Sequence, residues 1–142
     1  MIDRSLVLTK AGRVEAHIRR IKEKRSISLK QFLDDLDRQE SILFNLQMAI
    51  QNCIDIAAHI ISDEDLGVAG SINEMFYMLQ KNGYLNAVLT EKMVASVGFR
   101  NLIVHEYGNV DLEKVYQISH QSIEDLEDYL KAIINKAKKQ TN

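Results

Sequence analysis

The chain has 142 residues, of which 46% are hydrophobic and 27% are charged, a composition typical of one folded domain and unlike that of a disordered segment. It contains no proline and only six glycines, which disfavours a turn-rich β-sandwich or barrel and predicts an all-α fold. The single cysteine, Cys53, excludes an internal disulfide framework and a cysteine-based zinc site, and the net charge is −2 at pH 7.

The first predicted helix covers residues 9–25, where apolar side chains recur every three or four positions among lysines and arginines. Residues 1–30 carry a net charge of +6, whereas residues 31–135 carry −11. A basic helix on an acidic body either presents a positive edge to a polyanion such as RNA or is an ordinary solvated face. The sequence leaves both interpretations open.

The first residues of the sequence include charges at Asp3 and Arg4 and lack an apolar segment of signal-peptide length. No stretch reaches the roughly 18 uninterrupted apolar residues that a transmembrane helix requires. A cytoplasmic protein without a membrane partner is therefore expected.

The rest of the chain predicts further helices joined by short polar loops. A long second helix opens at a capping box formed by Ser28 and Gln31, and the acidic residues 63–65 after it are expected to be solvated rather than to bind a metal. Cys53, inside this helix, is expected to be a buried, unreactive thiol. Residues 1–142 are interpreted as one domain, an antiparallel bundle of four to five helices. The helices after the first are predicted at about 29–62, 71–79, 88–106 and 111–138.

The fourth predicted helix carries two apolar strips instead of one. At about 100° per residue, with Arg100 at 0°, one strip covers about 200–300° and the other about 20–60°. The first, expected to face the bundle core, consists of Ala95, Phe99, Leu102 and Ile103, and the second of Met93, Val97 and Val104. The side that bears Arg100, Asn101 and His105 is thus partly apolar, and it is expected to pack against a second copy of the chain.

The polar residues of this helix suit phosphodiester chemistry. Arg100 offers a planar set of donors to a phosphate and stays charged at any relevant pH. His105 can exchange a proton with a ribose 2′-hydroxyl or a leaving oxygen, and Asn101 can orient the imidazole or donate to a phosphate oxygen. RNA cleavage by 2′-hydroxyl attack needs no metal, and no nearby carboxylate cluster provides for one. The alternative is a purely structural pair of arginine and histidine.

The arrangement Arg100-Asn101-x-x-x-His105-x-Tyr107 resembles the R-x4-H-x-Y motif of HEPN domains, in particular that of the HepT-type toxins of HEPN/MNT toxin–antitoxin pairs. The similarity extends over about residues 10–135, although the proline that is usual in the loop 62–71 is absent. The segments that carry it are AIQNCIDIAAHIIS (49–62), SINEMFYMLQKNGYL (71–85), MVASVGFRNLIVHEYGNVD (93–111) and VYQISHQSIEDLEDYLKAI (115–133).

This resemblance implies a HEPN-like helical fold, a homodimer with the motif helices at its interface, and metal-independent endoribonuclease activity on RNA. By position, Arg100 and His105 are implied to be the catalytic pair and Asn101 the polar residue that follows the arginine. The resemblance also implies a cognate antitoxin, a minimal nucleotidyltransferase (MNT) that silences the toxin by transferring AMP from ATP to Tyr107. ATP and Mg²⁺ belong to that partner, so no cofactor and no metal are expected on this chain.

Tyr107 lies seven residues after Arg100, which puts it on the arginine's side of the helix if the helix continues that far. An adenylyl group there would place a phosphate near the guanidinium and compete with RNA, whereas the alternative is an ordinary aromatic side chain at a helix end.

Two other functional classes also fit the sequence. One is a non-catalytic helical binding module that is the substrate or scaffold of a nucleotidyltransferase, and the other is a plain dimerisation domain.

Overall fold

The structure, a computed structural model, describes residues 2–140, and over these residues it consists of helices and connecting turns without a β-strand. The all-α prediction is therefore confirmed, although α1 begins before the predicted residue 9. The α-helices are α1 (Arg4–Lys24), α2 (Leu29–Leu33), α3 (Leu36–Asp63), α4 (Ile72–Lys81), α5 (Ala87–His105), α6 (Leu112–Gln121) and α7 (Ile123–Gln140). A single 3₁₀ turn, Tyr107–Asn109, connects α5 to α6. Within the described range, no helix is long and apolar enough to cross a bilayer.

The single long helix predicted at 29–62 is wrong, because the chain turns between α2 and α3. The Asp35 carboxylate accepts the backbone N–H of Arg38 at 3.1 Å and so caps the start of α3. The side-chain amide of Gln39 donates to two carbonyls at the end of α2, at 2.9 and 3.1 Å, and satisfies groups that have no helical partner. The capping box predicted at Ser28 is confirmed at the start of α2.

The last predicted helix, 111–138, is likewise divided at Ser122 into α6 and α7. One turn earlier, the Ser119 hydroxyl donates to the Tyr116 carbonyl at 2.7 Å, a local bond that competes with the backbone bonds of a helix. Helix α7 then opens with acidic residues in its first turn, which favour a new helix N-terminus. The apolar spacing of the sequence continues unchanged across Ser122, so it could not predict the break between α6 and α7.

Helix α3 lies at the centre of the bundle. It packs against α1 along its length and also contacts every other α-helix of the structure described. Helix α1 runs antiparallel to it, because Lys10 pairs with Asp55 at 3.2 Å and His17 shares a hydrogen bond with Asn45 at 2.8 Å. Antiparallel packing of neighbouring helices is thus confirmed for this pair.

One cluster of buried side chains surrounds α3 and receives members from all the α-helices described. Tyr129 of α7 is fully buried, and its hydroxyl donates to the Cys53 carbonyl of α3 at 3.0 Å. Cys53 is confirmed as buried. Its burial, reinforced by the negative charge of Asp55, raises the pKa of the thiol far above the ordinary range. The thiol is therefore protonated at physiological pH.

The faces predicted for α5 are wrong in part. Helix α5 packs on α3 and also on α4 and α7, so its buried arc covers about half of the helix surface. The buried residues of the two predicted strips are Met93, Val97, Phe99 and Ile103, and the exposed ones are Ala95, Leu102 and Val104. Because Arg100 lies in the middle of this arc, its aliphatic part enters the bundle instead of pointing fully outward.

Candidate active site

Arg100 is held between α5 and α3 by two amide oxygens. Its Nη2 donates to Oε1 of Gln51 at 2.6 Å, and its Nη1 donates to Oδ1 of Asn101 at 2.7 Å. A guanidinium can only donate, so the amide atoms that face it must be the oxygens. Arg100 is half-buried, and its Nε–H has no acceptor within residues 2–140. The Nε–H is buried, so the donors that remain for a ligand are the second N–H groups of Nη1 and Nη2.

No carboxylate in the described part of the chain forms an ion pair with Arg100. Gln51 uses its side-chain N–H₂ to donate to Asp55 at 3.0 Å, and Asp55 pairs with Lys10 of α1 at 3.2 Å. A neutral amide thus separates the guanidinium from this carboxylate, which is balanced by a different cation. A half-buried arginine that keeps its full charge is suited to bind an anion such as a phosphate.

Gln51 is a residue that the sequence did not single out. Its contact with Arg100 depends on how α3 packs against α5, and helical periodicity carries no information about that packing. A signal was nevertheless present, because Gln51 and Asp55 are polar residues four positions apart in a mostly apolar segment. That spacing places the two side chains on one face of a helix, as the structure shows.

The structure brings Asn101 to Arg100 and not to His105. The Asn101 carbonyl oxygen accepts from the guanidinium instead of binding the imidazole. Its side-chain N–H₂ has no partner within residues 2–140, which leaves it available for the other predicted role, donation to a phosphate. His105 is the last residue of α5; it is exposed and makes no hydrogen bond with the described chain. Its imidazole is therefore accessible at the end of the motif helix.

Tyr107 does not continue the helix that carries Arg100. Helix α5 ends at His105, and Glu106 leaves the helical conformation with φ −136° and ψ 41°. The condition for placing Tyr107 on the arginine's side, a helix that continues to residue 107, is therefore not met, and Tyr107 lies on the 3₁₀ turn with half of its surface exposed. Partial burial, and then the negative charge of Glu40 at the beginning of α3, raise the pKa of its phenol above the ordinary value.

Two exposed apolar side chains lie near the site, one on α5 and one on the outer face of α3. The link from Gln51 to Arg100 and the effect of Glu40 on Tyr107 together show that these helices run antiparallel. Val104 stands one turn beyond Arg100, and it is 44% exposed. On α3, Phe44 is 57% exposed and lies two turns before Gln51 on the same side of the helix, with its ring centroid 6.3 Å from that of His17 of α1. Val104 is therefore the exposed apolar residue next to Arg100, and Phe44 lies on the outer face of α3.

The other side of α5 borders a separate cleft of about 490 Å³. Arg100, Asn101 and His105 do not line it. Its walls are mostly apolar, and an ion pair between Lys92 and Asp125 at 3.5 Å lies at the same place. In residues 2–140, no group of three or more His, Cys, Asp or Glu side chains has the arrangement of a metal site. The motif residues of α5 therefore lie outside this cleft.

Comparison with known proteins matches residues 14–133 to the family described as Ribonuclease HepT-like. The chain belongs to this family. A HepT-like relative from Shewanella oneidensis named mRNA nuclease HepT is 30% identical over 128 residues, which cover 90% of this chain and 96% of that protein. A second, from Aphanizomenon flos-aquae and named tRNA nuclease HepT, is 27% identical over 132 residues, covering 93% and 90% of the two chains.

A solved structure shows the same fold in a HepT-like complex. It is the tri-AMPylated Shewanella oneidensis HEPN toxin in complex with MNT antitoxin, with a TM-score of 0.85 and 30% identity. The match covers 95% of this chain and 99% of that one. The predicted resemblance to HepT-type proteins and the predicted HEPN-like fold are therefore confirmed.

The unneutralised Arg100 leads to a prediction about stability. Arg100→Met keeps most of the aliphatic volume, but it removes the hydrogen bonds to Gln51 and Asn101 together with a half-buried cation that has no counter-ion. Because the cost of burying the charge offsets the gain from these bonds, the free energy of unfolding should stay within about 1 kcal/mol of the parent. Arg25→Met is the reference, because Arg25 is also half-buried, forms no ion pair within residues 2–140 and donates to the Ser119 carbonyl at 3.0 Å. That variant should change the free energy of unfolding by a similar amount. Urea unfolding followed by circular dichroism measures both, and a larger loss at Arg100 would make this arginine a structural one.

Proposed function

We propose that this HepT-like chain is a metal-independent endoribonuclease, the toxin of a toxin–antitoxin pair, and that AMP transfer to Tyr107 silences it. The main support is the Arg100 guanidinium, which Gln51 and Asn101 hold without neutralising its charge. A half-buried, unpaired cation costs folding free energy, so its retention favours a role in binding an anion. Relatives named mRNA nuclease and tRNA nuclease indicate RNA phosphate as that anion.

In the proposed reaction, the ribose 2′-oxygen attacks the adjacent phosphorus and the bond from phosphorus to the 5′-oxygen breaks. The products are a 2′,3′-cyclic phosphate and a 5′-hydroxyl end. Arg100 stabilises the negative charge that accumulates on the non-bridging oxygens, and the N–H₂ of Asn101 supplies a second donor. His105 accepts the proton of the 2′-hydroxyl or returns one to the 5′-oxygen. These groups are sufficient for the reaction, so the proposal assigns no metal and no cofactor to this chain.

The proposed active site is composite and lies at the interface of a homodimer. Val104, next to Arg100 on α5, and Phe44, on the outer face of α3, are exposed apolar side chains of the kind that a second copy covers. A two-fold axis through this surface would bring both guanidinium groups and both exposed His105 side chains to one groove. One imidazole can then act as the base while the other acts as the acid.

The proposed partner is a nucleotidyltransferase antitoxin that binds ATP and Mg²⁺ itself and transfers AMP to the Tyr107 hydroxyl. Half of this side chain is exposed on a turn outside α5, so a second protein can reach it. The tri-AMPylated toxin in complex with MNT antitoxin, which has the same fold, supports this part of the proposal. An adenylyl phosphate at this position, two residues after His105, would compete with RNA for the proposed site. The cytoplasm stays the predicted location.

The first functional prediction concerns cleavage. The purified protein should cleave RNA in the presence of EDTA, because no step of the proposed reaction needs a metal. His105→Ala should lower the rate by about 10²–10⁴-fold through loss of proton transfer. Arg100→Ala should lower it by about 10²–10³-fold through loss of charge stabilisation. Gel analysis of a 5′-labelled RNA measures both effects.

Lys131→Ala and His120→Ala are suitable controls, since both side chains are exposed and lie on α7 and α6, outside the site. They should cleave at the parent rate. If Arg100→Ala and His105→Ala cleave as well as the controls, the proposed mechanism is wrong. If the parent protein itself cleaves no RNA but forms a complex with the nucleotidyltransferase, the chain is a non-catalytic binding module instead.

A second prediction concerns Gln51, the residue that holds Arg100. Gln51→Glu would keep an acceptor for the guanidinium but would add a carboxylate that neutralises it. We expect KM for RNA to rise about tenfold or more, mainly because phosphate binding weakens. Gln117→Glu, at an exposed position on α6, makes the same charge change away from the site and should have no effect. Unchanged steady-state kinetics for Gln51→Glu would show that the neutrality of this partner is unimportant.

A third prediction concerns Tyr107. Incubation with the nucleotidyltransferase, ATP and Mg²⁺ should add whole AMP units to the protein, as measured by intact-mass spectrometry, and cleavage should stop. Tyr107→Phe should prevent the mass increase. Tyr77→Phe is the matched control, because the Tyr77 side chain is exposed to a similar degree on α4. AMP on the Tyr107→Phe variant would place the acceptor elsewhere.

A further inference from the structure

Helix α1 carries three exposed cations on one side, Arg13, Arg20 and Lys24. We call them the basic edge of α1. Steps of seven and four residues keep them on a single face of the helix. None of them forms an ion pair with a carboxylate within residues 2–140. These charges are therefore free to meet an external polyanion.

The register of α1 against α3 brings the basic edge level with the candidate site. On this side of α1, Lys10 contacts Asp55 and His17 contacts Asn45. Arg13 lies between these two contacts in an antiparallel pair, so it stands level with the middle of the α3 segment 45–55. Gln51 lies at this level of α3. It binds Arg100 of α5, which packs on the side of α3 away from α1.

Arg13 and Arg100 therefore flank the outer surface of α3 at the same level. Packed helices are about 8–10 Å apart, so the two cations are separated by roughly two such spacings, about 16–20 Å. The acidic group closest to Gln51 on this surface is Asp55, one turn away, whose partly exposed carboxylate pairs with Lys10 at 3.2 Å. The exposed Asp37 and Glu40 lie about three turns or more from Gln51, toward the level of Arg20 and Lys24. At the level of Arg13, the one carboxylate between the two arginines is therefore already balanced by a cation.

We propose that the basic edge of α1 binds the backbone of the RNA strand whose scissile phosphate is held at Arg100. This inference rests on the proposed function and extends it to a second contact surface. A strand that leaves Arg100 and crosses α3 reaches Arg13 first and then runs along Arg20 and Lys24. Contacts of this kind to phosphates fix the position of a strand without reading its sequence.

The test compares two triple variants of the full-length chain, both in the His105→Ala background so that RNA stays intact. One is Arg13→Gln/Arg20→Gln/Lys24→Gln, which removes the basic edge. The other is Arg4→Gln/Arg19→Gln/Lys22→Gln, which removes three exposed cations from the opposite side of the same helix, among them Lys22, which pairs with Glu127 of α7 at 3.2 Å. The two variants have the same net charge, and circular dichroism checks that both are folded.

Binding of a fluorescent single-stranded RNA is measured by anisotropy over a range of salt concentrations. For single strands the slope of log K against log salt changes by about 0.7 per phosphate contact, so loss of the basic edge should reduce it by about 2. Affinity at low salt should fall by about tenfold or more, whereas the opposite-side variant should keep the parent slope. With His105 intact, removal of the basic edge should raise KM and leave kcat unchanged.

Equal losses in the two triple variants would overturn the proposal, because the effect would then reflect net charge alone. Unchanged RNA binding with loss of binding to the nucleotidyltransferase would also overturn it and would assign the edge to a protein partner. If the parent cleaves RNA but the basic-edge variant has the parent slope, only this inference fails. If the parent neither binds nor cleaves RNA, the proposed function fails and this inference fails with it.

Discussion

The hydrogen bond between the Arg100 guanidinium and the Gln51 carbonyl oxygen determines the character of this site. Together with the Asn101 oxygen on the other terminal nitrogen, the Gln51 amide oxygen orients the guanidinium but leaves the positive charge in place. The other end of the same amide binds Asp55, which Lys10 balances. The orientation of one side chain on α5 is thus set by residues of α3 and α1. This chain of contacts connects parts of three helices into one structural unit.

Helix α3 contributes to the core and to the site with different faces. One face is buried and includes Cys53, whose carbonyl receives the Tyr129 hydroxyl. The outward face bears Phe44 and Gln51. Because the same rigid helix supports both, the position of Gln51 is fixed by the packing of the core. The site therefore needs no additional structure to hold its arginine in place within one chain.

The sequence was sufficient for the all-α fold, the helical segments and the motif helix, because composition, capping and apolar spacing are local properties. It was insufficient where a distant contact decides the outcome. The turn between α2 and α3 depends on Gln39, which reaches back to the preceding helix, and periodicity continues through it. Met93 and Val97 were assigned to the wrong side because α5 is apolar nearly all round, so its orientation comes from its neighbours. The hydrogen bond between Gln51 and Arg100 joins residues 49 positions apart, so the sequence alone could not predict it.

The position of Tyr107 after the end of α5 has a further consequence for how inhibition would work. A bulky group attached to a phenol buried between packed helices would force those helices apart, and the altered chain would be prone to proteolysis. Here the phenol lies on a turn beyond the last helical residue, so attachment leaves the hydrogen bonds of α5 intact. The blocked protein would keep its native fold and persist in the cell as a dormant pool instead of being degraded.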